Sequence, residues 1–229
     1  MIGTLINAAA IVAGTLLGLL LRKGIPQRMR ETVMQGLALC VVLIGVSGAI
    51  KAGDTMCVIV SMVVGGLLGS AVNIELRLEQ LGDFAQRKLL RGQEDNTFAK
   101  GFVTASLVYC VGAMAIVGSM DSGLRGDHST LIAKSALDGV SAIFFASTLG
   151  AGVGMSAVAV FVYQGAIALL ATWIAPLLTD PIINEMSAVG SLLIIAIGLN
   201  MMYDKHISVG NMLPAIFVPM AYVPLSALF

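Results

Sequence analysis

Asp138 is the one acid that reads as lying inside an apolar span, and Ser141 follows at a spacing that puts both on one helix face. The amides Asn7, Gln35, Gln164 and Asn200 fall in other apolar stretches. A carboxylate among amide, hydroxyl and carbonyl oxygens suits a hard cation or a proton. An Asp at the centre of a helix in lipid costs about 2.5–3.5 kcal/mol on insertion scales, so it must face a cavity, a partner or the interface. The plainer alternatives are a cap near the membrane surface, or an acid paired with Lys134 one turn earlier. For each amide alone, a hydrogen bond between helices is the plainer reading.

Other chemistries find little support. His128 and His206 fall in predicted loops on opposite sides, and no His/Cys/Glu spacing resembles a metal site. Gly150, Gly152 and Gly154 lack the strand, helix and acid of a nucleotide fingerprint. No base accompanies the serines, which disfavours an intramembrane hydrolase. The chain therefore reads as a non-enzyme with no cofactor and no metal. Its formal net charge of +0 gives no argument for a nucleic-acid partner.

The elements that must hold these residues are membrane helices. Of the 229 residues, 58% are hydrophobic and only 11% charged, against about 25% charged in soluble domains. The expectation is an all-α, polytopic bundle in a lipid bilayer, forming a single transmembrane domain over 1–229. Eight spans are drawn, at roughly 3–21, 32–50, 56–74, 99–119, 131–150, 154–176, 186–203 and 209–228, with seven as the alternative. No charge occurs between Gly139 and Thr179. A turn at Gly150–Gly154 starts the fifth helix near Leu131 and places Asp138 inside it. Residues 75–92 (ELRLEQLGDFAQRKLLRG) read as an amphipathic helix on the cytoplasmic surface.

Ten of the thirteen basic residues fall on one side of this scheme: Arg22, Lys23, Arg28, Arg30, Arg77, Arg87, Lys88, Arg91, Lys100 and Lys205. The positive-inside rule makes that side cytoplasmic and puts the N-terminus outside. The three cysteines, Cys40, Cys57 and Cys110, lie in or beside apolar runs without CxxC spacing, as packed thiols would.

Two echoes stand out within the chain. IVAGTLLG (11–18) resembles MVVGGLLG (62–69), and each carries a GxxxG strip, Gly14/Gly18 and Gly65/Gly69. Such strips let helix backbones approach closely, either within the chain or across a homodimer, which is the expected assembly. MQGLA (34–38) resembles LDGVS (137–141), in helices of opposite direction, as in an inverted repeat.

The segment KSALDGVSAIFFASTLGAGVGMSAVAVFVYQG, with the opening GTLINAAAIVAGTLLGLLLR, resembles the bacterial membrane family of domain-of-unknown-function 554. The resemblance covers nearly the whole chain. It implies a small bacterial inner-membrane protein of transporter-like character and supplies no functional residues. The resulting expectation is a transporter or channel for an ion or small polar solute, with a pathway near Asp138 and Gln35. The alternative is a non-transporting scaffold or partner subunit.

Overall fold

The computed structural model describes residues 1–22, 27–77, 80, 84, 98–203 and 207–226. Among them every regular element is helical. In chain order these are α1 (Ile2–Arg22), α2 (Gln27–Ala49), α3 (Thr55–Val72), α4 (Phe98–Cys110), α5 (Ala113–Leu124) and α6 (Ser129–Leu149). There follow α7 (Gly152–Leu169), α8 (Ala171–Ile174), α9 (Asp180–Met202), a 3₁₀ segment (Gly210–Phe217) and α10 (Pro219–Ser226).

Among the described residues, six helices are long and apolar enough to cross a membrane: α1, α2 from Glu31 onward, α3, α6, α7 and α9. The pair α4–α5 adds a seventh if counted as one span bent by 62°. The bend falls at Gly112, whose φ of +128° suits a residue with no Cβ. The stretch expected as an eighth span is not one continuous α-helix. Pro214 lies inside the 3₁₀ segment and Pro224 inside α10, and each proline removes an amide donor from the helix ladder. Most of the amphipathic segment 75–92 lies outside the described residues.

Contacts gather the chain into two compact units. Unit 1 comprises Met1–Leu37, Leu78–Cys110 and Met114–Thr172. Unit 2 comprises Ala38–Arg77, Val111–Ala113 and Trp173–Phe229.

In unit 1, α1 lies along α6. Gly3 meets Leu131, Gly14 meets Gly139 and Gly18 meets Ile143, so the numbers rise together and the two helices run parallel. A Cβ at Gly14 or Gly18 would overlap the carbonyl oxygen of Gly139 or Ile143. The first GxxxG strip is thus an intrachain seam. On α7, Gly152 packs against Phe98 of α4. Leu5, Leu16 and Leu20 of α1, with Leu137, Val140 and Phe144 of α6, are exposed, as lipid-facing side chains are.

The start and end of α6 are both defined locally. Asp127 Oδ1 accepts the Ser129 N–H at 2.9 Å. That bond, reinforced by the Ser129 hydroxyl, holds the Asp127 carboxyl below its ordinary pKa. At the far end, the Gly150 N–H bonds the Ala146 carbonyl with φ at +82°, and α7 begins after Ala151. The turn therefore falls where the glycines predict it, and Asp138 lies well inside α6.

In unit 2, α9 is the most buried of the long helices. Gly48 and Gly45 of α2 meet Ser191 and Ile195, while Gly198 meets Val42, so α2 and α9 run antiparallel. The second strip is also used inside the chain. Gly65 and Gly69 of α3 face Ala215 and Asn211 of the 3₁₀ segment, again antiparallel. Asp54 caps the start of α3 by accepting the Met56 N–H, and Asn73 ends it in the left-handed region at φ 53°.

The similar strips thus pack in different senses, parallel in unit 1 and antiparallel in unit 2. The MQG and LDG echoes also differ in setting. Gly36 has open space where a Cβ would project, whereas Gly139 packs on Ala10.

Candidate functional site

The polar centre of unit 1 is built by α1, α6 and α7. On α6, Lys134 and Asp138 stand one turn apart on the face that α1 covers. The Lys134 ammonium donates to both carboxylate oxygens, at 2.9 Å to Oδ1 and 2.7 Å to Oδ2. Both side chains are only 8% exposed. Asp138 lies about 14 Å along the axis from Ser129 at 1.5 Å per residue, near the middle of a hydrocarbon core of about 30 Å.

Asn7 of α1 joins this pair to α7. Its Nδ2 donates to Asp138 Oδ2 at 3.0 Å and to Gln164 Oε1 at 3.4 Å. Asn7 and Gln164 are completely buried. Asn7 thus links the carboxylate on α6 to Gln164 on α7. Asn7 takes its place on the buried stripe of α1, with Gly3, Thr4, Ile11, Gly14, Thr15 and Gly18. The glycines bring the two backbones close enough for a short amide to reach across.

Several buried side-chain polar atoms of unit 1 have no hydrogen-bond partner among the described residues. They are Thr4 Oγ1, Asn7 Oδ1, Thr15 Oγ1, Ser106 Oγ, Tyr109 Oη and Gln164 Nε2. A buried polar atom left unmatched costs about 1–3 kcal/mol. The Tyr109 hydroxyl from α4 stands near Ser141 and Asp138, with its ring tilted against Phe145 at 6.1 Å between centroids.

The structure thus brings together three of the residues singled out from the sequence: Asp138, Asn7 and Gln164. Ser141 is nearby but donates to the backbone carbonyl of Asp138 at 3.0 Å, not to its carboxylate. Gln35 is exposed on α2, and the hydrogen bonds of Asp138 go to Lys134 and Asn7 instead. Asn200 belongs to unit 2. Its Nδ2 donates to the Ile207 carbonyl and its Oδ1 accepts the Ile207 N–H, both at 2.8 Å. Gly14, Gly18, Gly65 and Gly69 serve the seams described above.

Two buried charged residues are new, one in each unit. Lys134, considered from the sequence only as a neutralising neighbour, is as central as Asp138. Glu185 is a second buried acid, inside α9, where the sequence reading starts the span one residue later. Its Oε1 accepts the N–H groups of Gly53 and Asp54 at 2.7 and 3.1 Å, binding the loop before α3 to α9. Asn184 Nδ2 donates to the Lys51 carbonyl at 2.8 Å on the same loop. The missed signal is Thr179-Asp180-Pro181, a helix-start pattern that places Glu185 inside the helix. The described residues hold no group of three or more His, Cys, Asp or Glu able to bind a metal ion. All three cysteines are free. Cys57 is buried, Cys110 partly so and Cys40 exposed.

The family described as "protein of unknown function (DUF554)" matches residues 2–224. The chain belongs to this family. It is similar to the "uncharacterized membrane protein YdfK" of Bacillus subtilis (strain 168), at 32% identity over 223 residues, covering 96% of this chain and 94% of that protein. It is also similar to the "uncharacterized protein YqgA" of Escherichia coli (strain K12), at 33% identity over 229 residues, covering 99% and 96%. No solved structure matches it. This DUF554 chain is a multi-pass membrane protein, as its apolar helices and the name of its relative YdfK agree.

Proposed function

We propose that this DUF554 protein is a transporter or channel of the bacterial inner membrane whose pathway passes Asp138 in unit 1. The observation that supports it is the buried Lys134–Asp138 pair, bonded by the Asn7 amide of α1, which in turn donates to Gln164 of α7. Ionisable residues within membrane helices are costly and mark ion paths, proton relays and solute sites. Packing alone has no need of them, because well-packed apolar groups of similar volume are often as stable. The unmatched polar atoms on α1, α4 and α7 supply the other groups of such a path.

Lys134 narrows the class of solute. An ammonium 2.7 Å from the carboxylate repels a metal cation that would share it, so a proton or a small polar solute is favoured. The orientation is the one the basic loops favour, with the N-terminus outside the cytoplasm. A homodimer loses its original support, since both glycine strips are used inside the chain.

The test is reconstitution in liposomes carrying a trapped pH dye, with a panel of small solutes applied outside. Flux of protons or of a solute that Asp138→Asn abolishes is the expected result. A folded wild-type protein that moves neither would leave the scaffold reading in its place.

A further inference from the structure

The pathway reading leaves its cargo open, and the cluster itself constrains it. Lys134 and Asp138 carry equal and opposite charge and are closed off together. The titratable groups facing them from neighbouring helices are Tyr109 and Cys110 of α4. Tyr163 of α7 feels the charge of Cys110. From α1 the facing group is the neutral Asn7. Among the described residues the pair is thus the site's own charge balance.

Adding a proton to Asp138 removes the negative half of that balance. Lys134 is then a buried cation without a partner, which a low-dielectric interior strongly disfavours. An anion arriving with the proton restores neutrality. The donors left by Asp138 are already in place, Lys134 Nζ and Asn7 Nδ2. Gln164 Nε2 is a further buried donor with no partner among the described residues. This donor-rich set complements acceptor oxygens. The group it holds now, the Asp138 carboxylate, is the nearest guide to the shape and charge of its replacement. Complete burial of Asn7 and Gln164 keeps that replacement small.

We propose that unit 1 binds a small monocarboxylate together with one proton, the anion at Lys134, Asn7 and Gln164 and the proton on Asp138. This rests on the pathway reading. The proton comes from water on the loading side and forms an O–H bond on Asp138. The carboxylate takes over the hydrogen bonds of Lys134 and Asn7. On release the O–H bond breaks, the proton leaves with the anion, and the Lys134–Asp138 pair re-forms. No net charge crosses the membrane.

The test uses the full chain in nanodiscs and liposomes with L-lactate as the probe. By linkage, one proton taken up per anion makes lactate Kd fall by about tenfold for each unit of pH decrease in the range where free Asp138 is ionised. Lactate uptake should follow an imposed proton gradient and ignore an imposed membrane potential. Lys134→Gln should weaken lactate binding at least about tenfold, the loss of one charge-assisted contact. Asp138→Asn should remove the pH dependence. Because a lone charge can prevent folding, the double variant Lys134→Gln/Asp138→Asn serves as a second probe. It should stay folded and bind no lactate.

A pH-independent lactate Kd in the wild type, lactate uptake that carries net charge, or undiminished binding by the double variant would each overturn the proposal. If Asp138-dependent flux of protons or another solute persists while lactate neither binds nor competes, the monocarboxylate assignment falls and the pathway stands. If nothing moves at all, both fall.

Discussion

Lys134 and Asp138 sit one helical turn apart, and a single ammonium reaches both carboxylate oxygens, at 2.9 and 2.7 Å. The geometry makes each charge the condition for burying the other. Removing one partner from such a pair costs about 3–5 kcal/mol, whereas replacing both with apolar groups is often neutral. Lys134→Met and Asp138→Leu should each lower thermal stability in detergent sharply, and the double variant should recover most of the loss. Additive losses in the double variant would mean that the two residues do not act as a pair in the membrane.

The glycine seams predict a folding defect, not an assembly defect. A methyl group at Gly14 meets the Gly139 carbonyl, and one at Gly65 meets the backbone of Ala215. Overpacking of this kind costs about 1–3 kcal/mol. Gly14→Ala and Gly65→Ala should lower the melting temperature with the oligomeric state unchanged by light scattering. A variant that shifts a dimer to a monomer at unaltered melting temperature would assign the strip to an interface between chains.

Glu185 should matter for the loop it holds. Glu185→Ala leaves the amides of Gly53 and Asp54 without their carboxylate, where charge-assisted bonds contribute about 1.5–3 kcal/mol each. Hydrogen exchange at these two amides should accelerate, with a smaller effect for Glu185→Gln, whose side-chain oxygen still accepts. Unchanged exchange in Glu185→Ala would show that the loop is held by other contacts.

Orientation is open to chemical labelling. In a background without Cys40, Cys57 and Cys110, single cysteines at Lys51 and Gln93 should respond oppositely to an impermeant thiol reagent on intact cells. Lys51 is exposed between α2 and α3 and should label, and Gln93 should not. The reverse pattern overturns the charge-based orientation.

The long helices are legible in the sequence because twenty apolar residues have few other uses. Asp138 is legible for the same reason, as an acid in the wrong solvent. Its company is not. Asn7 and Gln164 lie 131 and 157 residues from the groups they meet or from one another, and apolar periodicity carries no information on which helix lies beside which. Gln35 shows the limit of a local resemblance, since MQG and LDG match in sequence while Gly36 has open space beside it and Gly139 packs on Ala10. Lys134 was visible at i−4, but spacing alone could not distinguish a surface pair from a buried one. Glu185 was lost to a hydropathy boundary, because an averaging window trims the polar first turns from a helix. The C-terminal segment has membrane-like composition, and the structure divides it between a 3₁₀ segment carrying Pro214 and an α-helix carrying Pro224.

The parallel seam of α1 on α6 sets a timetable for biogenesis. Asn7 and its carboxylate partner are separated by 131 residues. At a synthesis rate of about 5–20 residues per second the wait is on the order of ten seconds. Throughout it, α1 lacks the surface that covers its glycines and its buried amide. Those polar groups must meanwhile be sheltered by an insertase, by a provisional neighbour or by delayed release into lipid. Unit 1 therefore closes only once α6 has been made.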